Sequence, residues 1–266
     1  MIDLHSHILY DLDDGAKTLR ETADMLRIAK EDGIDTMVAT PHYIYGSNRY
    51  DLKKLMDMYI KVQSLIKEEG LDFNLFMGNE LYLDTELVNN LEEGLCLTLA
   101  DTDYVLVEFP MHSIPSFAEN IIYALFERGY KVILAHPERY QPIHKEPEIL
   151  YSFMEMGCLI QVNILSIAGQ TGSKTQEIAK RFFEKNWVQL VATDCHSPRI
   201  RSPVLSSAYN IVKGWTDDVR AGEIFLSNPK KVLENKYIDP LHTAQPIIHT
   251  KATFFSYISG KKTVNF

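Results

Sequence analysis

The first fifteen residues, MIDLHSHILYDLDDG, constrain this chain more than any other stretch. Asp3, His5 and His7 recur at a spacing of two, so in an extended strand their side chains share one face and two imidazoles point the same way. The strand pattern stops at Tyr10. The chain then turns through Asp11, Asp13, Asp14 and Gly15, which brings acidic groups toward the same space. An isolated His-x-His is more often a pair of satisfied histidines than a pair of ligands, so the weight of this one depends on what recurs downstream.

What recurs is an apolar run ending on a single imidazole or carboxylate. Residues 18–31 carry Leu19, Ala23, Leu26 and Ala29 at helical spacing behind a Thr18/Glu21 capping box, and Gly33 ends them. Residues 34–40 then read as a buried strand delivering Pro41 and His42. The unit returns as an amphipathic segment over 52–69 and a strand over 73–77, ending in Gly78-Asn79-Glu80. It returns again as helix 84–91 and strand 103–107 ending on Glu108, then as helix 116–128 and strand 130–135 ending on His136. Helix 147–156 leads to strand 158–162 and Asn163, and helix 175–185 to strand 188–193, Asp194 and His196. About seven such rounds predict an α/β fold of parallel strands joined by crossover helices. Two short helices are expected over about 217–236. Residues 237–266, with Phe254, Phe255, Tyr257 and Phe266, show no clear period. The length suits a single domain over 1–266, its last stretch from about 240 being a tail of unreadable structure.

A net charge of -9 argues against a general binder of nucleic acid or anionic membrane. No apolar run reaches the ~18 residues of a spanning helix, and no basic segment followed by an apolar one opens the chain, so neither membrane insertion nor a cleaved leader is expected. Cys96, Cys158 and Cys195 are scattered and odd in number, which reads as reduced thiols and a cytoplasmic location.

Carboxyl ends of parallel strands converge on one face of a barrel. That face would collect His5, His7, Asp14, His42, Glu80, Glu108, His136, Asp194 and His196. Close carboxylates repel and buried imidazoles need partners, so the set is costly unless cations occupy it. Mixed nitrogen and oxygen donors without a cysteine pair suit two or three divalent ions such as Mn, Fe or Zn, and argue against a structural thiolate zinc. Arg139 and Arg201 each follow a strand end by a few residues and could fork onto a phosphoryl group, with Arg199 as a competitor. A rival chemistry lies in Cys195 to Arg201, which has the C-x5-R spacing of a thiolate phosphatase. Pro198 removes a backbone donor from that loop, no glycine lets it wrap, and strand alternation points Cys195 away from its neighbours. Asn163 reads as an orienting amide, Tyr10, Tyr43 and Tyr45 as flanking the rim, and Phe109 and Phe117 as core or wall. His112, His144, His242 and His249 fall outside the pattern.

In order, DLHSH, DDGAKT, ATPH, GNE, VEF, AHPER and TDCH, spread over about residues 1–203, resemble the PHP (polymerase and histidinol phosphatase) superfamily and, within it, the CpsB/CapC-type bacterial protein-tyrosine phosphatases. The resemblance implies a distorted (β/α)7 barrel with a trinuclear centre at the C-terminal ends of the strands, manganese being the usual ion. It implies that His5, His7, Glu80 and Asp194 hold one metal, that Glu80, Glu108 and His136 hold a second with Glu80 bridging, and that Asp14, His42 and His196 hold the third. It places the phosphate contact at Arg201 rather than Arg199. Cys195, between the last two ligands, departs from the pattern. The implied activity is hydrolysis of phosphotyrosine in proteins by a metal-bridging hydroxide, without a covalent intermediate. The implied substrate is the tyrosine-rich tail of a bacterial tyrosine kinase governing exopolysaccharide or capsule synthesis. A histidinol-phosphate-type small-molecule phosphatase is the enzymatic alternative and a metal-binding scaffold the non-enzymatic one; the sequence leaves an oligomer open.

Overall fold

The apolar runs form nine short parallel strands among the residues described by the computed structural model, 1–47 and 50–241. They are β1 (Ile2–Ser6), β2 (Thr36–Ala39), β3 (His42–Tyr43), β4 (Asn74–Met77), β5 (Glu80–Tyr82), β6 (Tyr104–Glu108), β7 (Lys131–Ala135), β8 (Leu159–Asn163) and β9 (Leu190–Ala192). Two ladders run β1-β2-β4 and β3-β5-β6-β7-β8-β9. They are seven strand positions cut in two places. Pro41, which has no N–H to give a ladder, separates β2 from β3, and Gly78-Asn79 separates β4 from β5. Pairing continues on both sides of the cuts, Met37 opposite Leu75 and His42 opposite Glu80. The last position meets the first at a parallel bridge between Ser6 and Cys195, with His7 N–H donating to the Cys195 carbonyl and Asp194 N–H to the His5 carbonyl, both at 2.9 Å. The result is a distorted barrel whose wall between β1 and β9 is a single bridge rather than a ladder.

Alternation along β6 shows how the layers form. Leu106 shares a face with Glu108 and clusters with Ile133, Leu159 and Leu190, an apolar plug beneath the rim. Val105 and Val107 face the other way, toward the apolar sides of the surrounding helices. Those are α1 (Leu19–Glu31), α2 (Leu52–Glu68), α3 (Leu87–Glu92), α4 (Ala118–Glu127), α5 (Gln141–Lys145), α6 (Glu148–Met156), α7 (Ile164–Ile167), α8 (Ser173–Glu184), α9 (Ser206–Trp215), α10 (Asp218–Gly222) and α11 (Asn228–Leu233). Thr18 caps α1 as expected, accepting from Glu21 N–H at 3.2 Å, while the Glu21 carboxylate reaches back to Lys17 N–H at 2.7 Å.

Three differences from the sequence reading have physical causes. The helix expected from residue 84 begins at Leu87, because the Asp84 carboxylate accepts from Glu86 N–H at 2.7 Å and closes a turn first. The two short helices expected over 217–236 are α10 and α11 joined by a π-helical turn over Glu223–Ser227, and α9 precedes them unannounced because only Ala208 and Val212 of it are buried. Asp3 does not share the face of the two imidazoles. The β1–β2 register shifts between Asp3 and Ser6, and the Asp3 carboxylate accepts from Thr193 N–H at 3.1 Å and from the Thr193 hydroxyl, tying β1 to the end of β9. The expectations for His242, His249, Phe254, Phe255, Tyr257 and Phe266 lie outside the described residues. None of the described helices is long and apolar enough to cross a membrane.

Burial pushes the Asp3 carboxyl up to about 6, against the pull of its Thr193 bonds. The folded chain therefore holds this proton more tightly than the unfolded chain. That contribution to stability is complete below about pH 4 and is lost as pH rises through 6. Urea titrations of metal-free protein between pH 4 and 7 should show Asp3→Asn gaining on wild type by about 2–3 kcal/mol across the window; a constant difference would contradict the assignment.

Candidate metal centre

The carboxyl ends of the strands bring the nine expected side chains to one rim. His5 lies on β1 and His7 one residue past it, with their Nε2 atoms 3.3 Å apart. Glu80, the residue that resumes the third strand position after Gly78-Asn79, sets its Oε2 3.2 Å from both of those nitrogens and 3.0 Å from His42 Nδ1. Its Oε1 lies 2.8 Å from His136 Nε2, which is 3.6 Å from Glu108 Oε1. Asp194 Oδ1 lies 3.5 Å from His5 Nε2 and 3.4 Å from His7 Nε2. Asp14 Oδ1 lies 3.5 Å from His42 Nε2 and 3.2 Å from His196 Nε2. Donor atoms close enough to share an ion form four overlapping groups: His7, Asp14, His42 and His196; His5, His7 and Glu80; His5, His136 and Asp194; His42, Glu80 and Glu108. Only Asp14 is largely exposed, and His42 is half-buried.

Hydrogen bonding does not account for this arrangement. His42 Nδ1, Glu80 Oε2, His136 Nδ1 and His196 Nε2 are buried without a hydrogen-bond partner, although such atoms are nearly always paired in folded proteins. Glu80 Oε2 faces three imidazole nitrogens within 3.2 Å and bonds none of them, which is the geometry of donors aimed at a shared cation. The electrostatics agree. Burial opposes ionisation of Glu80, yet His5 and His42 hold it well below the carboxylate range. Burial and the neighbouring Glu80 charge push Glu108 up to about 8. Two adjacent carboxylates cannot both ionise cheaply without positive charge between them. Burial lowers His136 and His196, the neutral form a ligand needs, whereas at His5, His7 and His42 the facing carboxylates outweigh burial and favour the protonated form.

Two of the nine rim residues sit on left-handed backbone, His136 at φ 35° and Asp194 at φ 51°. Such conformations cost about 1–3 kcal/mol each and persist where surrounding structure enforces them. A second layer of side chains holds the rim residues in place. Asp13, read in the sequence only as part of a turn, accepts from His7 Nδ1 at 2.7 Å and from His42 N–H at 3.0 Å. Its turn needs Gly15, where a Cβ would lie 2.2 Å from the His7 carbonyl oxygen. Asn79 donates to the Tyr50 hydroxyl, which donates to the His42 carbonyl at 2.6 Å. Asn163 donates to Asp194 Oδ2 at 2.5 Å. Gln161, missed in the sequence because it lies inside a strand, approaches His5 Nδ1 at 2.9 Å.

Arg139 donates to Asp194 Oδ2 at 3.3 Å, and Arg201 forms an ion pair with the same oxygen; Arg199 is exposed. Cys195 is fully buried at the β1–β9 seam, and burial pushes its thiol up to about 12, so it is no thiolate near neutrality. His112 is exposed and His144 contacts the Glu138 carbonyl, and neither belongs to the four donor groups. Tyr43 is buried, Tyr10 half-buried and Tyr45 exposed; Phe109 stacks on Tyr140 in the core, and Phe117 packs against the same core.

Residues 1–234 match the family model for capsular polysaccharide synthesis, CpsB/CapC. The chain is 30% identical over 242 residues to the putative tyrosine-protein phosphatase CapC of Staphylococcus aureus, covering 90% of this chain and 93% of that one. It is 33% identical over 202 residues to the tyrosine-protein phosphatase YwqE of Bacillus subtilis, covering 76% and 80%. A crystal structure from work on YwqE of Bacillus subtilis and CpsB of Streptococcus pneumoniae, described as unique metal-dependent tyrosine phosphatases, superposes with a TM-score of 0.87 at 29% identity, covering 92% of this chain and all of that one. A phosphotriesterase homology protein from Escherichia coli shares the fold at a TM-score of 0.56 and 9% identity.

Glu80 approaches four imidazoles and Asp14 two, with His42 between them. Metal titration of Glu80→Ala should show more than one ion lost per chain, and titration of Asp14→Ala only one. Equal losses would reject a bridging Glu80.

Proposed function

The chain belongs to the CpsB/CapC capsular polysaccharide synthesis family, and from that premise we infer that it is a metal-dependent tyrosine-protein phosphatase. One observation carries the reading: a carboxylate oxygen of Glu80 faces three imidazole nitrogens without bonding any of them, a few ångströms from an Asp194 that gathers two guanidinium groups. The first feature suits cations, the second an anion bound beside them.

In this reading His5, His7, Glu80 and Asp194 hold one ion, Glu80, Glu108 and His136 a second, and Asp14, His42 and His196 a third, with His7 close enough to the last group to contribute to either. Two or three divalent ions such as manganese, iron or zinc fit this oxygen and nitrogen set. Bound there, they supply Lewis acidity that acidifies water and neutralises phosphoryl oxygens. The protein's own part is orientation and charge. Asp194 parks Arg139 and Arg201 at the rim through one oxygen while its other oxygen faces the imidazoles. The two guanidinium planes then transfer to phosphoryl oxygens as charge develops there. The plug of Leu106, Ile133, Leu159 and Leu190 closes the floor against water from below. The substrate is the tyrosine-rich tail of a bacterial tyrosine kinase governing capsule synthesis. Relatives named as tyrosine phosphatases support this substrate class over the histidinol-phosphate alternative.

Turnover of a phosphotyrosyl peptide by arginine variants tests the clamp. Arg139→Ala and Arg201→Ala should each lower kcat by about 30- to 1,000-fold, or roughly 2–4 kcal/mol, with ions still bound. Arg199→Ala should be near normal. A crippled Arg199→Ala beside a normal Arg201→Ala would move the clamp. In the same assay Cys195→Ser should keep kcat within a few-fold; loss of several orders of magnitude in a folded variant would restore the thiolate mechanism.

A further inference from the structure

Gln161 and Asn163 are buried polar side chains that touch the rim yet have no task in the reaction as described. Alternation along β8 puts both on the inward face above Leu159. Asn163 Nδ2 lies 2.5 Å from Asp194 Oδ2, Asn163 Oδ1 lies 2.7 Å from Gln161 Nε2, and Gln161 Oε1 lies 2.9 Å from His5 Nδ1. The direction of every bond in this chain follows from its far end. Asp194 Oδ2 also receives Arg139 and Arg201, which can only donate, so it is an acceptor. The Asn163 group facing it is therefore the NH2. That turns the Asn163 carbonyl toward Gln161, which must answer with its own NH2 and present its carbonyl to His5. A carbonyl at that distance requires a proton on His5 Nδ1. Reversing either amide would set donor against donor or acceptor against acceptor in a buried site.

We propose that Gln161 and Asn163 are positioning residues: a relay that carries the acceptor character of Asp194 to His5, keeping Nδ1 protonated and turning the Nε2 lone pair toward His7, Glu80 and Asp194. His7 and His196 have their Nδ1 atoms held by other means, the Asp13 carboxylate at 2.7 Å and the Asp194 carbonyl at 2.9 Å. Only His5 relies on an amide, whose direction nothing but the relay sets. The relay also couples a side chain on β1 to one beyond β9 through β8, so a rotated Gln161 misaligns two metal-facing groups at once. Its effect on metal affinity rests on the proposed function, whereas its polarity does not.

The test is long-range 1H–15N correlation of histidine ring nitrogens in 15N-histidine-labelled protein, metal-free and with Zn2+ alone. His5 Nδ1 should be protonated in both states. Gln161→Met, similar in length but without hydrogen-bonding polar atoms at its tip, should move metal-free His5, read at a pH where its ring is neutral, toward the Nε2–H tautomer. It should also weaken Zn2+ about 10- to 100-fold in chelator competition, the usual effect of losing a group that orients a ligand. Gln161→Glu still offers an acceptor and should restore the Nδ1–H tautomer, which a merely space-filling role would not require. A bare Nδ1 on wild-type His5 overturns the relay, and this reading is available even if Gln161→Met does not fold. An unchanged tautomer in a folded Gln161→Met also overturns it. Wild type with Nδ1–H intact that binds no Zn2+ would support the relay and refute the metal reading instead.

Discussion

Everything at the rim depends on reconciling ionisable groups that the fold has forced together out of water. Glu80, Glu108 and Asp194 are buried with five imidazoles around them, and no pattern of protons among these groups leaves all of them paired. Divalent cations at the rim would supply the missing partners. The arginines show the same economy on the outer side, where a single oxygen of Asp194 accepts both guanidinium groups and an amide. A phosphoryl group offers those guanidinium groups a better-matched partner.

The distortions of the barrel follow from serving this rim. An uninterrupted strand would carry His42 and Glu80 past the site on alternating faces. Pro41 and Gly78-Asn79 break the second and third positions just before those residues, and His42 and Glu80 pair directly across the new short ladder. His136 and Asp194 leave their strands through left-handed backbone. The barrel seam is likewise built from the site's neighbours, since Asp3, Ser6, Thr193 and Cys195 join β1 to β9 within two residues of His5 and Asp194.

Much of this was legible because His42, Glu80, Glu108, His136 and Asp194 each follow the end of an apolar run, and such runs betray strands. The parallel order followed from the alternation of strands with helical segments. What escaped did so for local reasons. Asp13 and Gln161 have no distinctive spacing, since an aspartate in DLDDG reads as a turn residue and a glutamine inside LIQVN as a strand residue. Their partners are set by the register of β8 and by the tight turn over Gly15, neither visible along the chain. The strand breaks were hidden because Pro41 and Gly78 read as ordinary strand ends. The face of Asp3 was misread because alternation assumes a regular strand, and β1 shifts register where it meets β2. Helix α9 escaped because only two of its side chains are buried.

The central claim, that cations held at this rim perform the hydrolysis, is tested most directly by stripping the protein with chelator, verifying removal by elemental analysis, and following phosphotyrosyl-peptide hydrolysis as Mn2+ is returned. The account predicts no turnover in stripped protein and recovery that saturates at two to three ions per chain. Full turnover by protein shown to be free of metal would contradict it.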